Sequence, residues 1–196
     1  MALPKHQNIS VEDYLTLDQN SKEARYEYLE GELTMLAGGS TYHSAIIANL
    51  TITIGRHLEN SSCWIYNSDI RLQLTENRYV HPDITVSCDQ RDQELDEMIH
   101  YPCLVIEVLS PSTEAIDKIK KLAYYQECPT IQDYLMVDSL SIRIELYHRE
   151  EDGWKFHTYG PGSTVKLESL GIQFPINDIY RRIKLSATRS TENRKS

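Results

Sequence analysis

Glu107 stands inside the most apolar run of the chain, Leu104-Val105-Ile106-Glu107-Val108-Leu109. The run is too short for a helix, so it reads as a central strand covered on both faces. An ionised carboxylate there costs several kcal/mol unless a cation, a metal or hydrogen-bond donors compensate it. Two readings stand side by side: a functional acid, or a strand-end side chain that reaches water or pairs with an arginine. Asp83 follows Pro82 and precedes Ile84-Thr85-Val86. It therefore opens a short strand where proline prevents regular ladder pairing on its amino side, although the same dipeptide also marks ordinary turns. Two carboxylates projected from neighbouring strands onto one spot would form a hard oxygen site for Mg²⁺ or Mn²⁺.

A cation for such a site has a source in the helix expected next. Asp117, Lys121 and Tyr125 fall at i, i+4 and i+8 on one stripe. The apolar face of that helix, Ala115, Ile116, Ile119, Leu122 and Ala123, lies roughly opposite Lys121. Pattern alone thus reads the stripe as an exposed Asp-Lys pair worth a few tenths of a kcal/mol, and a substitution of Lys121 as nearly neutral for stability. Glu27, between Tyr26 and Tyr28, is a candidate further oxygen ligand whose ordinary reading is a solvated strand carboxylate. His43, near the start of a long helix, is a candidate accessory group and more commonly a surface histidine or cap.

The elements that must position these residues follow from periodicity and punctuation. Ser10 caps a short helix containing Val11, Tyr14 and Leu15, with Glu12 and Asp13 in its first turn. Residues 25–29 and 32–36 read as two strands joined by a Glu30-Gly31 turn, and Gly38-Gly39-Ser40 breaks the pattern. Over residues 41–60, Ile46, Ile47, Leu50, Ile54 and Leu58 recur at helical spacing and outweigh the local β-propensity of Thr51-Ile52-Thr53-Ile54. Residues 63–66, 69–74 and 83–87 read as three strands, with residues 75–78 as the turn between the second and third. Residues 89–97 read as an acidic loop. Ser110-Pro111-Ser112-Thr113-Glu114 starts a helix that runs to about Cys128, where Pro129 stops it. Residues 134–137 form a buried strand, and residues 141–148 and 154–159 a hairpin around Glu151-Asp152-Gly153. Residues 171–183 close the fold. The order predicts an α/β (α+β) chain: a mixed β-sheet flanked by helices, with additional β-hairpins. One domain is expected over residues 1–185, followed by a polar, disordered tail over 186–196.

Composition sets the outer bounds. The chain has 196 residues, 40% of them hydrophobic, which excludes disorder as its main state. Its net charge of −9 excludes a histone-type polyanion binder. Local contact with DNA stays open, because carboxylates that hold divalent cations raise the acidic count while the cations restore attraction to phosphate. The four cysteines, at 63, 88, 103 and 128, include no Cys-x-x-Cys pair, which argues against zinc. With no apolar leader and no run of about 18 apolar residues, the chain reads as reduced, soluble and cytoplasmic, with no membrane segment.

Several of these strings, taken in order, resemble one family. They are Tyr26-Glu27-Tyr28-Leu29-Glu30-Gly31-Glu32, His43, Pro82-Asp83-Ile84, Ile106-Glu107-Val108-Leu109-Ser110-Pro111-Ser112-Thr113, Asp117-x-x-x-Lys121-x-x-x-Tyr125 and Asp133-Tyr134-Leu135-Met136-Val137-Asp138. Over roughly residues 10–180 the chain resembles the Uma-type family of restriction-endonuclease-like proteins, a branch of the PD-(D/E)XK nuclease superfamily. The resemblance implies a restriction-endonuclease-like fold and a Mg²⁺- or Mn²⁺-dependent endonuclease acting on DNA. Asp83 then matches the PD aspartate, Glu107 the second acid and Glu27 an acid contributed ahead of the core strands. Leu109 stands where the superfamily pattern has lysine, and Lys121 on the next helix matches the displaced cation. The implied catalytic set is Asp83, Glu107 and Lys121, the implied metal ligands Asp83, Glu107 and Glu27, with His43, Asp117 and Tyr125 as accessory positions. A duplex substrate favours a homodimer. The contrasting expectation is a non-catalytic nucleic-acid-binding or dimerisation module that keeps the fold, toward which the negative charge and the displaced lysine point.

Overall fold

The apolar run at 104–109 is a strand whose six residues are all buried, inside a six-stranded mixed sheet. The computed structural model describes residues 9–21, 24–36, 38–94, 97–109 and 120–185. The elements are α1 Val11–Asn20, β1 Tyr26–Leu29, β2 Glu32–Met35, α2 Thr41–Leu58, β3 Trp64–Asn67, β4 Arg71–Thr75, β5 Arg78–Val80 and β6 Ile84–Ser87. They continue as α3 Gln90–Gln93, β7 Met98–Ile99, β8 Leu104–Leu109, α4 Leu122–Glu127, β9 Asp133–Asp138, β10 Ile144–Glu150, β11 Gly153–Tyr159, β12 Thr164–Leu167, β13 Ile172–Pro175 and α5 Ile176–Ile179. The main sheet runs β11-β10-β9-β8-β6-β3; β8 and β9 are parallel neighbours, as a crossover connection requires.

Period-two alternation divides the core. Ile84, Val86, Leu104, Ile106 and Val108 meet the α2 stripe of Ile46, Leu50, Ile54 and Leu58 on one face. Val105, Leu109, Tyr134 and Met136 meet Tyr125, Cys128 and Ile131 on the other. Glu107 shares its sheet face with Val105 and Leu109, so its side chain is directed to the α4 side. The Ser40 side chain accepts from His43 N at 3.2 Å and caps α2, placing His43 in the first turn.

The structure corrects the expected layout in three places. The turn after β4 leads into the three-residue strand β5, and β4 and β5 belong to a second sheet, β2-β1-β5-β4-β7. Three residues are too few for alternation to register, so Arg78-Tyr79-Val80, which begins at the last residue of the expected turn, went unread as a strand. The acidic stretch holds helix α3 rather than loop alone, begun by the Asp89 side chain accepting from Arg91 N. Finally, the cysteines are not all reduced: Cys63 and Cys88 form a disulfide, whereas Cys103 and Cys128 are free. Residues 63 and 88 lie one step beyond the Trp64↔Ser87 pair of β3 and β6, a neighbourhood that sequence spacing does not reveal. The tail over 186–196, the helix start over 110–119 and Asp117 lie outside the described residues.

Candidate active site

The antiparallel ladder of β6 and β8 ends with Ile84 paired to Ile106, so Asp83 and Glu107 are the next residues beyond its last pair. Past that pair the Asp83 carboxylate accepts a hydrogen bond through Oδ2 from Val108 N at 2.7 Å. His43 Nε2, from the first turn of α2, lies 3.2 Å from the same oxygen. The Gly38-Gly39 break serves this contact: a Cβ on Gly39 would fall 2.3 Å from His43 Nδ1.

Glu107 receives its partners from the opposite layer. Lys121 Nζ donates to Glu107 Oε1 at 3.0 Å and to Glu27 Oε1 at 2.8 Å. Tyr125 OH donates to Glu107 Oε1 at 2.8 Å, and His81 N donates to Glu27 Oε1 at 3.1 Å. Glu27, Glu107 and Lys121 are each no more than 5% exposed. Burial, followed by the Glu107 carboxylate, raises the Tyr125 phenol well above its usual range and keeps it a donor. Two buried carboxylates this close repel each other, and the ammonium between them offsets that repulsion.

The structure therefore gathers Glu27, Glu107, Lys121 and Tyr125 directly, and holds Asp83 between His43 and the amide of Val108, the residue after Glu107. The exposed reading of Lys121 is corrected. Helical periodicity reports which face of a helix is apolar, but the polar face here turns into a pocket of acids instead of toward water. Lys120, its neighbour, makes the exposed ion pair, with Glu32 at 2.8 Å. Sequence reasoning missed His81 and the Val108 amide. The His81-Pro82-Asp83 adjacency was an available signal for the first; no side-chain type marks the second, since any non-proline residue supplies an amide.

The donor chemistry suits a divalent cation. Asp83, Glu107 and Glu27 offer hard oxygens, and an ammonium already held by two of them marks a position where this fold accommodates positive charge. Among the described residues no three His, Cys, Asp or Glu side chains are grouped so that they could hold a metal ion. The Lys121 ammonium stands where two of the candidate ligands meet.

Residues 11–177 match the model of Uma2, described as "Putative restriction endonuclease". The chain belongs to the Uma2 family. Among its relatives, the Synechocystis sp. protein named "Uncharacterized protein slr1290" is 41% identical over 175 residues, spanning 88% of this chain and 92% of that one. A second Synechocystis protein, "Uncharacterized protein sll1609", is 28% identical over 163 residues, 82% of this chain and 92% of its own. The Uma2 fold is shared with a crystal structure from Anabaena variabilis titled "putative nuclease belonging to DUF820", at a TM-score of 0.75 and 19% identity, covering 88% of this chain and 97% of that one. Mixed sheets flanked by helices in a nuclease-like arrangement are thus the architecture of this Uma2 chain. No helix among its described residues is long and apolar enough to cross a membrane.

Proposed function

We propose that this Uma2 protein is a divalent-metal-dependent endonuclease that hydrolyses phosphodiester bonds in DNA. The observation that carries this reading is Lys121 held between the buried acids Glu27 and Glu107, with Asp83 bound to the amide of Val108 beside Glu107. Asp83, Glu107 and Glu27 would hold Mg²⁺ or Mn²⁺. Such a cation, when bound, supplies Lewis-acid chemistry to a phosphate and lowers the pKa of water. Lys121 contributes positive charge against the negative charge that develops on the phosphate oxygens. Tyr125 orients Glu107, Val108 N and His43 orient Asp83, and His81 N orients Glu27, so the acids meet the substrate already aligned. The family's description as restriction endonucleases supports DNA as substrate. We extend the reading to a cytoplasmic homodimer with one catalytic domain over residues 1–185, two twofold-related sites matching the two strands of a duplex.

Supercoiled plasmid incubated with Mg²⁺ or Mn²⁺ tests the proposal. Nicked or linear product is expected, and none with EDTA or in Asp83→Asn and Glu107→Gln. Absence of cleavage together with absence of Mn²⁺ heat in calorimetry would overturn the enzyme reading in favour of a non-catalytic nucleic-acid-binding or dimerisation module. Sedimentation is expected to show twice the chain mass of 22.7 kDa, and a monomer at micromolar concentration would remove the dimer.

A further inference from the structure

At the ends of β3, β6 and β8 away from Asp83 and Glu107, three sulfurs come together. Cys63 precedes β3, Cys88 follows β6 and Cys103 precedes β8. The Cys63–Cys88 disulfide staples the edge strand β3 to β6, and Cys103 Sγ lies 3.6 Å from Cys88 Sγ. All three residues are partly exposed, whereas Cys128 is buried and contacts Thr130 Oγ1. A third thiol in contact with a disulfide provides a route for exchange.

We propose that Cys63, Cys88 and Cys103 form a thiol–disulfide exchange centre in which the cross-link moves between Cys63–Cys88 and Cys88–Cys103. The Cys103 thiol gives its proton to water, and its thiolate attacks Cys88 Sγ. The Cys88–Cys103 bond forms as the Cys63–Cys88 bond breaks, and Cys63 leaves as a thiolate that takes up a proton. Nothing is oxidised or reduced overall, so no outside oxidant is required. The attacking pair must close from 3.6 Å to about 2.05 Å, a movement of side-chain scale. Cys103 donates to Val86 O at 3.3 Å in its resting position. Burial and, after it, the Asp133 carboxylate on β9 push the Cys103 thiol up to about 11. Asp133 itself is held by His148 of β10. The thiolate is therefore scarce near neutrality, and exchange accelerates as pH rises.

The consequence is a choice of which strands are stapled. One cross-link holds the sheet edge at β3, beside the half-exposed Trp64. The other ties β6 to β8, the strands whose far ends lead to Asp83 and Glu107. This inference does not rest on the nuclease reading.

Disulfide mapping by proteolysis and mass spectrometry, after acid quenching and alkylation of the full chain, provides the test. Wild-type protein held without reductant at about pH 9.5 is expected to accumulate the Cys88–Cys103 peptide pair, and Cys103→Ser to retain Cys63–Cys88 alone. Cys63→Ser, treated with oxidised glutathione, is expected to form Cys88–Cys103 in most chains while keeping the wild-type circular dichroism spectrum. Wild-type protein that keeps only Cys63–Cys88 at the higher pH overturns the proposal. So does folded Cys63→Ser protein that carries glutathione on Cys88 and Cys103 in place of a bond between them. The wild-type measurement needs no variant and stands even if a substitution prevents folding.

Discussion

Two pairs of acids buried among the described residues are held in two different ways. Asp92 and Asp133, at 1% and 0% exposure, spread their donors over both carboxylate oxygens. Asp92 accepts from His100 N on one oxygen and from Ser87 Oγ and Tyr101 N on the other. Asp133 meets His148 Nδ1 on one and accepts from Ser169 N and Oγ on the other. Their donors are backbone amides, short hydroxyls and one imidazole. Glu27 and Glu107 instead share one long-chain ammonium on Oε1, delivered from a separate element. Fixed dipoles satisfy an acid where it stands and leave it little to do but hold loops together. A lysine neutralises charge without enclosing the carboxylates, and a cation or a phosphate can take part in the same balance. All four are buried; what differs between the two pairs is the shared ammonium.

The largest test of that contrast is Lys121→Met. Breaking a buried ion pair by removing one partner costs about 3–5 kcal/mol, so urea unfolding should show a loss of that order. Cleavage should fall by at least about a hundredfold, the scale seen when a donor to a developing oxyanion is removed. A fully stable Lys121→Met protein would show that the ammonium contributes nothing to burying Glu27 and Glu107.

Asp133→Ala should give nearly as large a loss of stability with the opposite functional result. Leaving His148 and Ser169 without their acceptor costs about 1–3 kcal/mol per unsatisfied group. The heat of Mn²⁺ binding, measured below the lowered melting temperature, should nevertheless match wild type. Loss of that heat in folded Asp133→Ala protein would erase the distinction between the two kinds of acid.

Tyr125→Phe sharpens the comparison within the site. It removes one donor to Glu107 while Lys121 remains, so a stability loss of about 1.5–3 kcal/mol is expected from a hydrogen bond to a charged group. Cleavage should slow about tenfold, equivalent to about 1.4 kcal/mol in the barrier. Unchanged cleavage rates would mean that Lys121 by itself orients Glu107. The smallest effect belongs to Lys120→Met. Its pair with Glu32 is about half exposed on both sides and should be worth less than about 0.5 kcal/mol, with cleavage within twofold of wild type.

Much of the scaffold was legible because its causes are local. Residues 41–58 carry four buried apolar side chains at helical spacing and form one helix, with Ser40 as its cap. The turn at Glu30-Gly31 places both residues at positive φ, 55° and 94°, so the left-handed conformation extends beyond the glycine that signals it. The strand around Glu107 follows from six largely apolar residues with a polar boundary. The three-residue β5 and the two-residue β7 were not legible, because strands so short depend on the neighbours they join.

The amino-acid sequence by itself determined the long helix over 41–58, that an acid lies in the buried strand β8, and that a second acid stands beside a proline at the start of another strand. Those outcomes depend on period, capping and burial within a few turns of chain. Only the tertiary structure decided that Lys121 turns into the acid pocket, that Glu27 meets Glu107 across layers, and that Cys63, Cys88 and Cys103 converge. Each of these unites residues far apart in the chain, through strand order and register that no local pattern encodes. The polar stripe carrying Lys121 suits water and an acid pocket equally well, and it was the packing of α4 over β8 that selected the pocket.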